Sequence, residues 1–394
     1  MNKNRQSAVA ANLAWFRNSG VYDLKWGVAE RIAITSGNEA IEKMKSAFPA
    51  WTQHDGYCVI EQRRADCNFQ AALLFLLAGE YETGIDLLDY LYFRSGMLFH
   101  KETAPPVPEG AWQWSHIKQT PVPYFDDNAW CLLIQKIVAR LYPELDRRYE
   151  LNFWADKLLT AMEAAMARTF GAELPDNAKF WRDPERVWYG NYYYPHFGAL
   201  SCMALAAAGS ESPEIGRYAG HIEVHLGEWN ASELSYAILG MSFVAALRGC
   251  ERCRKLAEAL GERLLAKQDK ATGNFPSEHE AEAPAGMEKV DTIYTVNWAL
   301  LALQCMADLT GDGRYVEAKG RLAGLLLAIQ DQAPELAFRG CWRGMYDLSS
   351  GSWGGGDRYE GGAGSIYTGW TNAPIGIGLL LEDRNQALFS LLKK

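Results

Sequence analysis

Six times along the chain, an Ala- and Leu-rich apolar stretch of helical length is followed by a stretch whose apolar residues fall on one helical face only. The apolar members span residues 66–77, 127–141, 194–208, 232–247, 292–309 and 365–381. Their polar partners span 81–92, 148–169, 212–226, 252–268, 313–330 and 383–392. In 252–268, for example, Leu256, Leu260, Leu264 and Leu265 form one stripe, with Lys, Glu and Arg elsewhere. A helix that is apolar all round has to be buried all round, whereas an amphipathic one covers it from a single side. Six such pairs predict an inner ring of helices wrapped by an outer ring, an all-α toroid of six hairpins forming one domain over residues 1–394. The apolar members start 38 to 73 residues apart. Most of these spacings exceed the roughly 34–47 residues of common helical solenoids, which favours a closed barrel over an open superhelix. Strand signals are limited to two short pieces, 57–62 and 337–342.

Composition narrows the partners. A net charge of −9 and the lack of any long Lys/Arg run argue against nucleic acid, whose phosphates need a concentrated basic surface. The longest apolar runs, 71–78 and 375–381, fall short of the roughly 20 residues a membrane span requires, so no membrane partner is expected. The residues after Met1 lack an apolar signal core, and several of the eight Cys sit inside apolar helical runs, as reduced buried thiols do. Both features point to a cytoplasmic protein. The 14 Trp and 19 Tyr are the unusual count, clustered as in Trp112/Trp114, Trp188-Tyr189 and Tyr192-Tyr193-Tyr194. A large core absorbs many such rings, but rings beside polar groups in loops also suit a sugar cleft, where they cover the C–H faces of a pyranose.

Two stretches carry a family likeness: Pro123-Tyr124-Phe125-Asp126-Asp127-Asn128-Ala129-Trp130 and Gly361-Gly362-Ala363-Gly364-Ser365-Ile366-Tyr367-Thr368-Gly369-Trp370-Thr371-Asn372. With six hairpins and aromatic-rich loops, the chain resembles the six-hairpin (α/α) glycosidases. The first stretch is similar to the Asp-Asp signature that opens an inner helix in the α-mannanases of glycoside hydrolase family 76. The layout also resembles that of the unsaturated glucuronyl hydrolases, whose essential aspartates lie in the barrel mouth. The resemblance implies a glycoside hydrolase acting on an oligosaccharide by carboxylate acid/base catalysis. No cofactor is expected, since the loops carry no ligand set with zinc or calcium spacing. A lyase or epimerase on the same scaffold, using His and Tyr for proton transfer, is the alternative. A non-catalytic carbohydrate-binding protein is a third reading.

Glycoside hydrolysis uses two carboxyls, one to protonate the leaving oxygen and one to attack or to activate water. At the entrances of the predicted inner helices stand Glu61 and Asp66, Asp126 and Asp127, Glu228 and Glu233, Glu278, Glu280 and Asp291, and Asp357 and Glu360. Asp126 and Asp127, flanked by Tyr124, Phe125 and Trp130, are the leading catalytic candidates, since an aromatic surround raises the proton affinity of a carboxyl. Capping of the helix is the competing role for either one. Asp291 is the expected second carboxyl, with Asp66 and Glu61 behind it as substrate-binding residues. Asn191, Tyr193 and His196 line either a packed plug or a substrate wall, and His196 would be the proton-transfer residue of the alternative mechanism. Tyr294, Trp353, Tyr367 and Trp370 complete the expected sugar contacts, Trp353 and Tyr359 on a Gly-rich rim. Arg182, Arg343 and Arg358 are available for an acidic sugar.

Two further motifs point away from the site. His221 and His225, spaced i, i+4, lack the Glu that a zincin motif places after the first His, and they read as the face of an outer helix. No metal site is expected. Cys250-Glu251-Arg252-Cys253 has neither a second Cys pair nor a βαβ context and reads as a helix start.

Overall fold

The computed structural model describes residues 5–34, 39–47, 50–102, 107–117, 122–171, 187–191, 193–277, 287–355 and 360–393. The six apolar stretches form helices: α2 (Ala65–Leu77), α4 (Phe125–Leu141), α6 (Pro195–Ala207), α8 (Ala231–Arg248), α10 (Val296–Thr310) and α12 (Ala373–Asp383). Each packs on the next, and α12 returns to α2, closing the ring. Their sequences explain their place. Every residue of α2 is buried, and in α6 only His196 and Ala207 are not. Five amphipathic helices cover them from outside: α3 (Tyr81–Asp89), α5 (Leu151–Gly171), α7 (Pro213–His225), α9 (Glu251–Lys267) and α11 (Gly313–Ile329). In α9 the buried face is Cys253, Leu256, Ala257, Leu260, Gly261 and Leu264, the expected stripe with Leu265 at its half-buried edge.

The sixth outer helix comes from the other end of the chain. Residues 383–392 are its expected source, but α12 stops at Asp383, and Asn385 adopts a left-handed φ of 50°. Beyond it, a 3-10 turn, Leu388–Leu392, plugs the C-terminal ends of α4, α8 and α10. The N-terminal helix α1 (Arg5–Asn18) covers α12 instead, burying Ala8, Val9, Leu13, Trp15 and Phe16. Its stripe is interrupted by the fully buried Asn12, whose amide donates to Asn372 Oδ1 at 3.0 Å and meets Gly340 O at 3.4 Å. That polar interruption hides the helix from a search for apolar periodicity.

Small sheets line one end. Strands β1 (Arg31–Ile34), β2 (Trp51–Gln53) and β3 (Tyr57–Ile60) join β7 (Ser365–Tyr367) in the antiparallel order β2-β3-β1-β7. Arg31 is paired with Tyr367 across the β1–β7 junction, so chain start and chain end are stitched together. Strands β4 (Lys289–Asp291), β5 (Met345–Asp347) and β6 (Ser352–Trp353) make a second antiparallel sheet. These strands explain why α10 and α12 begin later than residues 292 and 365: their lead-ins are β4 with a turn, and β7 with a π-helical turn, Thr368–Asn372. The expected strand within 57–62 is β3, whereas 337–342 is a turn with a buried Trp342. Among the described residues, no helix is long and apolar enough to cross a membrane.

Candidate active site

The first turns of the inner helices, where the positive ends of their dipoles gather, bring a set of acids around one guanidinium. Arg64 directly precedes α2. Its Nε donates to Asp66 Oδ1 at 3.1 Å and its Nη1 to Glu30 Oε1 at 3.2 Å. Its Nη2 donates to both Asp66 Oδ2 at 3.1 Å and Asp127 Oδ1 at 2.6 Å. One nitrogen therefore joins the carboxylates of two inner helices. Asp66 Oδ2 also accepts from Trp370 Nε1 at 2.7 Å. Helix α4 sits between α2 and α6, and its second and third residues diverge accordingly, as neighbours about 100° apart on a helix must. Asp127 turns to Arg64, and Asp126 turns to α6, where its Oδ2 lies 2.9 Å from His196 Nε2. That approach lacks the alignment of a hydrogen bond, so the two groups are in contact without a shared proton.

Beneath and beside these groups lie rings. His196 stacks on Tyr236 of α8 at 4.9 Å and meets Trp370 edge-on at 5.3 Å. Trp298 of α10 touches Trp370, Tyr236 and Trp130 at 5.4, 5.5 and 5.3 Å. A half-exposed wall of Trp114, Tyr124 and Tyr189 rises on the side of Arg64, which lies 5.7 Å from the Trp114 ring. A second ionic cluster adjoins the first. Glu360 accepts from Tyr294 Oη at 2.8 Å, from Arg31 Nη1 at 2.9 Å and from the Tyr367 hydroxyl. Arg31 covers the Tyr367 ring at 3.8 Å, and its Nη2 is 3.4 Å from Glu30, the acid that also binds Arg64.

Burial and company separate the acids. Burial raises the proton affinity of Asp127 well above the ordinary carboxyl value; Arg64 opposes the rise, and Asp66 and Asp126 add to it. Asp66 is raised as well, by burial first, against Arg64 and the Trp370 bond. Burial would also raise Glu360, but Arg31 and the two tyrosine hydroxyls outweigh it and hold the group below the usual value. Burial disfavours the charge on Arg64, yet Asp127 and Asp66 more than restore it. Asp66, Asp291 and Glu360 have both oxygens engaged by donors. Asp126 Oδ1 and Asp127 Oδ2 are buried without a hydrogen-bond partner among the described residues. Glu30 Oε2 also lacks a hydrogen bond, but it faces the Arg31 guanidinium.

No protein-family model matches the sequence, and no curated protein matches it. Solved structures do match, over nearly the whole chain. A cellobiose 2-epimerase from Bacillus thermoamylovorans B4167 is 10% identical over 96% of this chain and 99% of that one, with a TM-score of 0.62. A D-mannose isomerase is 12% identical over 95% and 96%, with a TM-score of 0.58. A family 76 α-mannanase from Bacteroides thetaiotaomicron is 8% identical over 97% of each chain, with a TM-score of 0.52. The chain has the six-hairpin (α/α) barrel fold. At such identities the likeness is one of fold.

The mouth of this six-hairpin barrel gathers Asp66, Asp126, Asp127, His196, Trp370 and, in its floor, Trp130. Tyr124 stands in its wall, and Tyr294 and Tyr367 bind Glu360. Neither Asp126 nor Asp127 caps α4: the cap position is Tyr124, with no side-chain cap bond. Asp291 holds its own turn. Its Oδ1 accepts from the backbone N–H of Ile293 and Tyr294, and its Oδ2 from Thr295 Oγ1. Glu61 binds Thr52 and Arg63 at the rim. Asn191 accepts from the Tyr193 N–H, Tyr193 packs on His221 of α7, and Trp353 packs on Tyr346. Arg343 is paired with Asp331. Tyr192, Arg182, Glu278, Glu280, Asp357, Arg358 and Tyr359 lie outside the described residues. Arg64, Arg31, Glu30, Tyr236 and Trp298 join the site without standing out in the linear pattern. Arg64 alone carries a usable signal, because a cation at a helix N-terminus opposes the dipole and needs acids to hold it there.

Proposed function

We propose that the barrel mouth is the active site of a carbohydrate-processing enzyme that hydrolyses a glycosidic bond, with Asp127 and Asp126 as its two carboxyls. The observation that carries this reading is that each of these two neighbouring acids keeps a buried oxygen with no hydrogen-bond partner, whereas Asp66, Asp291 and Glu360 have none to spare. Asp127, whose proton affinity burial raises well above the ordinary carboxyl value, gives its proton to the departing glycosidic oxygen. Asp126 supplies the negative charge on the other side, attacking the anomeric carbon or activating water, and His196 positions it. Arg64 and Asp66 are positioning residues for Asp127. Trp370, Tyr124 and Trp114 offer ring faces to the sugar. The guanidiniums of the buried Arg31 and the partly exposed Arg64 are already clamped by Glu30, Asp66, Asp127 and Glu360. Such a mouth favours a neutral sugar over a uronic acid, since acids outnumber cations and no described cation there is left over for a carboxylate.

One contact favours a second reading. His196 beside Asp126, stacked on Tyr236, is also suited to take a proton from the carbon next to a sugar carbonyl, as an epimerase or isomerase requires. A single assay separates the two. Neutral oligosaccharides, aryl glycosides and free reducing disaccharides are incubated in D2O and followed by NMR. Hydrolysis yields shorter sugars, and it disappears in Asp127→Asn and Asp126→Asn. Epimerisation conserves chain length and places deuterium next to the carbonyl. If both Asn variants retain full turnover while His196→Ala is inactive, proton abstraction replaces hydrolysis.

A further inference from the structure

The CxxC segment has no part in the mouth. Gly249, left-handed at φ 66°, ends α8, and Cys250 is the N-cap of α9. This corner lies at the C-terminal end of the inner ring, away from the site. The backbone N–H of Cys253 donates to Cys250 Sγ at 3.3 Å, which fixes the cap side chain over the first turn. The two sulfurs are then 2.9 Å apart. A disulfide bond is about 2.05 Å long, so a small χ rotation closes the gap. Cys250 is half-exposed while Cys253 is buried beneath it, and the other six cysteines are fully buried.

We propose that Cys250 and Cys253 are a thiol–disulfide modification site for low-molecular-weight disulfides, with Cys250 as the entry thiol and Cys253 as the resolving one. Deprotonated Cys250 attacks one sulfur of the small disulfide, forms a mixed disulfide and expels one thiolate. Cys253, giving up its proton, attacks Cys250 Sγ and expels the second. The protein loses two protons and two electrons, and the small disulfide is reduced to two thiols. Burial pushes the Cys253 thiol up, reinforced by its bond to Cys250. Cys253 is therefore a poor first nucleophile, and exposure sets the order of steps.

The test is to incubate the reduced, folded protein with oxidised glutathione, quench with acid and alkylate, then measure intact and peptide masses. The wild type is expected to lose two hydrogens, mapped to the peptide holding both residues, and dithiothreitol should restore them. Cys253→Ser should stop at one glutathione adduct on Cys250, and Cys250→Ser should take up neither change. A wild type that stays fully reduced, or that stops at the adduct as Cys253→Ser does, overturns the proposal, and neither result depends on a variant folding.

Discussion

Asp127 sits where ionisation is unfavourable, and this has an effect on stability as well as on turnover. Its folded-state proton affinity is raised, so between the ordinary carboxyl value and the folded one the native state binds more protons than the unfolded chain. Its contribution to stability therefore falls as pH rises through that window, and the loss is complete above it. Asp127→Asn removes the charge and keeps the shape. The variant should match or exceed the wild-type Tm at neutral pH, and the difference should shrink as pH drops toward about 4, the ordinary Asp range. Thermal scans across pH check this; a variant less stable at neutral pH would mean that the Arg64 bond outweighs desolvation. The same variant, and Asp126→Asn, should lose at least about 10²-fold in turnover while staying folded. Arg64→Ala has the opposite character. It leaves Asp66, Asp127 and Glu30 buried without their shared cation, and removing one partner of such a set costs about 3–5 kcal/mol, measurable by urea unfolding.

At the scale of elements, the site depends on how closely the π-helical turn 368–372 approaches α2. Gly369 makes this possible: a Cβ there would lie 2.3 Å from Cys67 Cα, a backbone atom that cannot yield locally. Gly369→Ala should cost about 1–3 kcal/mol, the usual range for overpacking. It should also lower activity by pushing Trp370 off Asp66, with a shift in Trp fluorescence as the local readout. The outer ring has a comparable dependence at α1. Phe16 is fully buried there and packs edge-on against Phe75 of α2 at 5.7 Å. Phe16→Ala should cost about 3–5 kcal/mol by denaturant titration and leave the turnover of the folded fraction unchanged, because the ring lies outside the mouth.

For the whole molecule, the ends of the chain interlock twice, α1 against α12 and β1 against β7. A ring closed in this way is expected to unfold as one unit, with no independently stable half released by limited proteolysis. A stable fragment lacking residues 5–34 would contradict that single-domain expectation. The order of inner and outer helices was legible in the sequence because burial is a property of each helix by itself: α2 and α6 are apolar on every face, and α9 carries one stripe. Asp126, Asp127, Asp66 and Trp370 were likewise legible as acids and rings at helix entrances, since chemistry and local position are both written in the chain. Which of them meet was decided by the closed ring alone. The sixth outer helix came from residues 5–18, Arg64 drew Asp66, Asp127 and Glu30 together, and Asp291 was occupied by its own turn. Local pattern specifies which face a helix buries, whereas ring closure sets its partners, and the proton affinity of a buried acid depends on those partners.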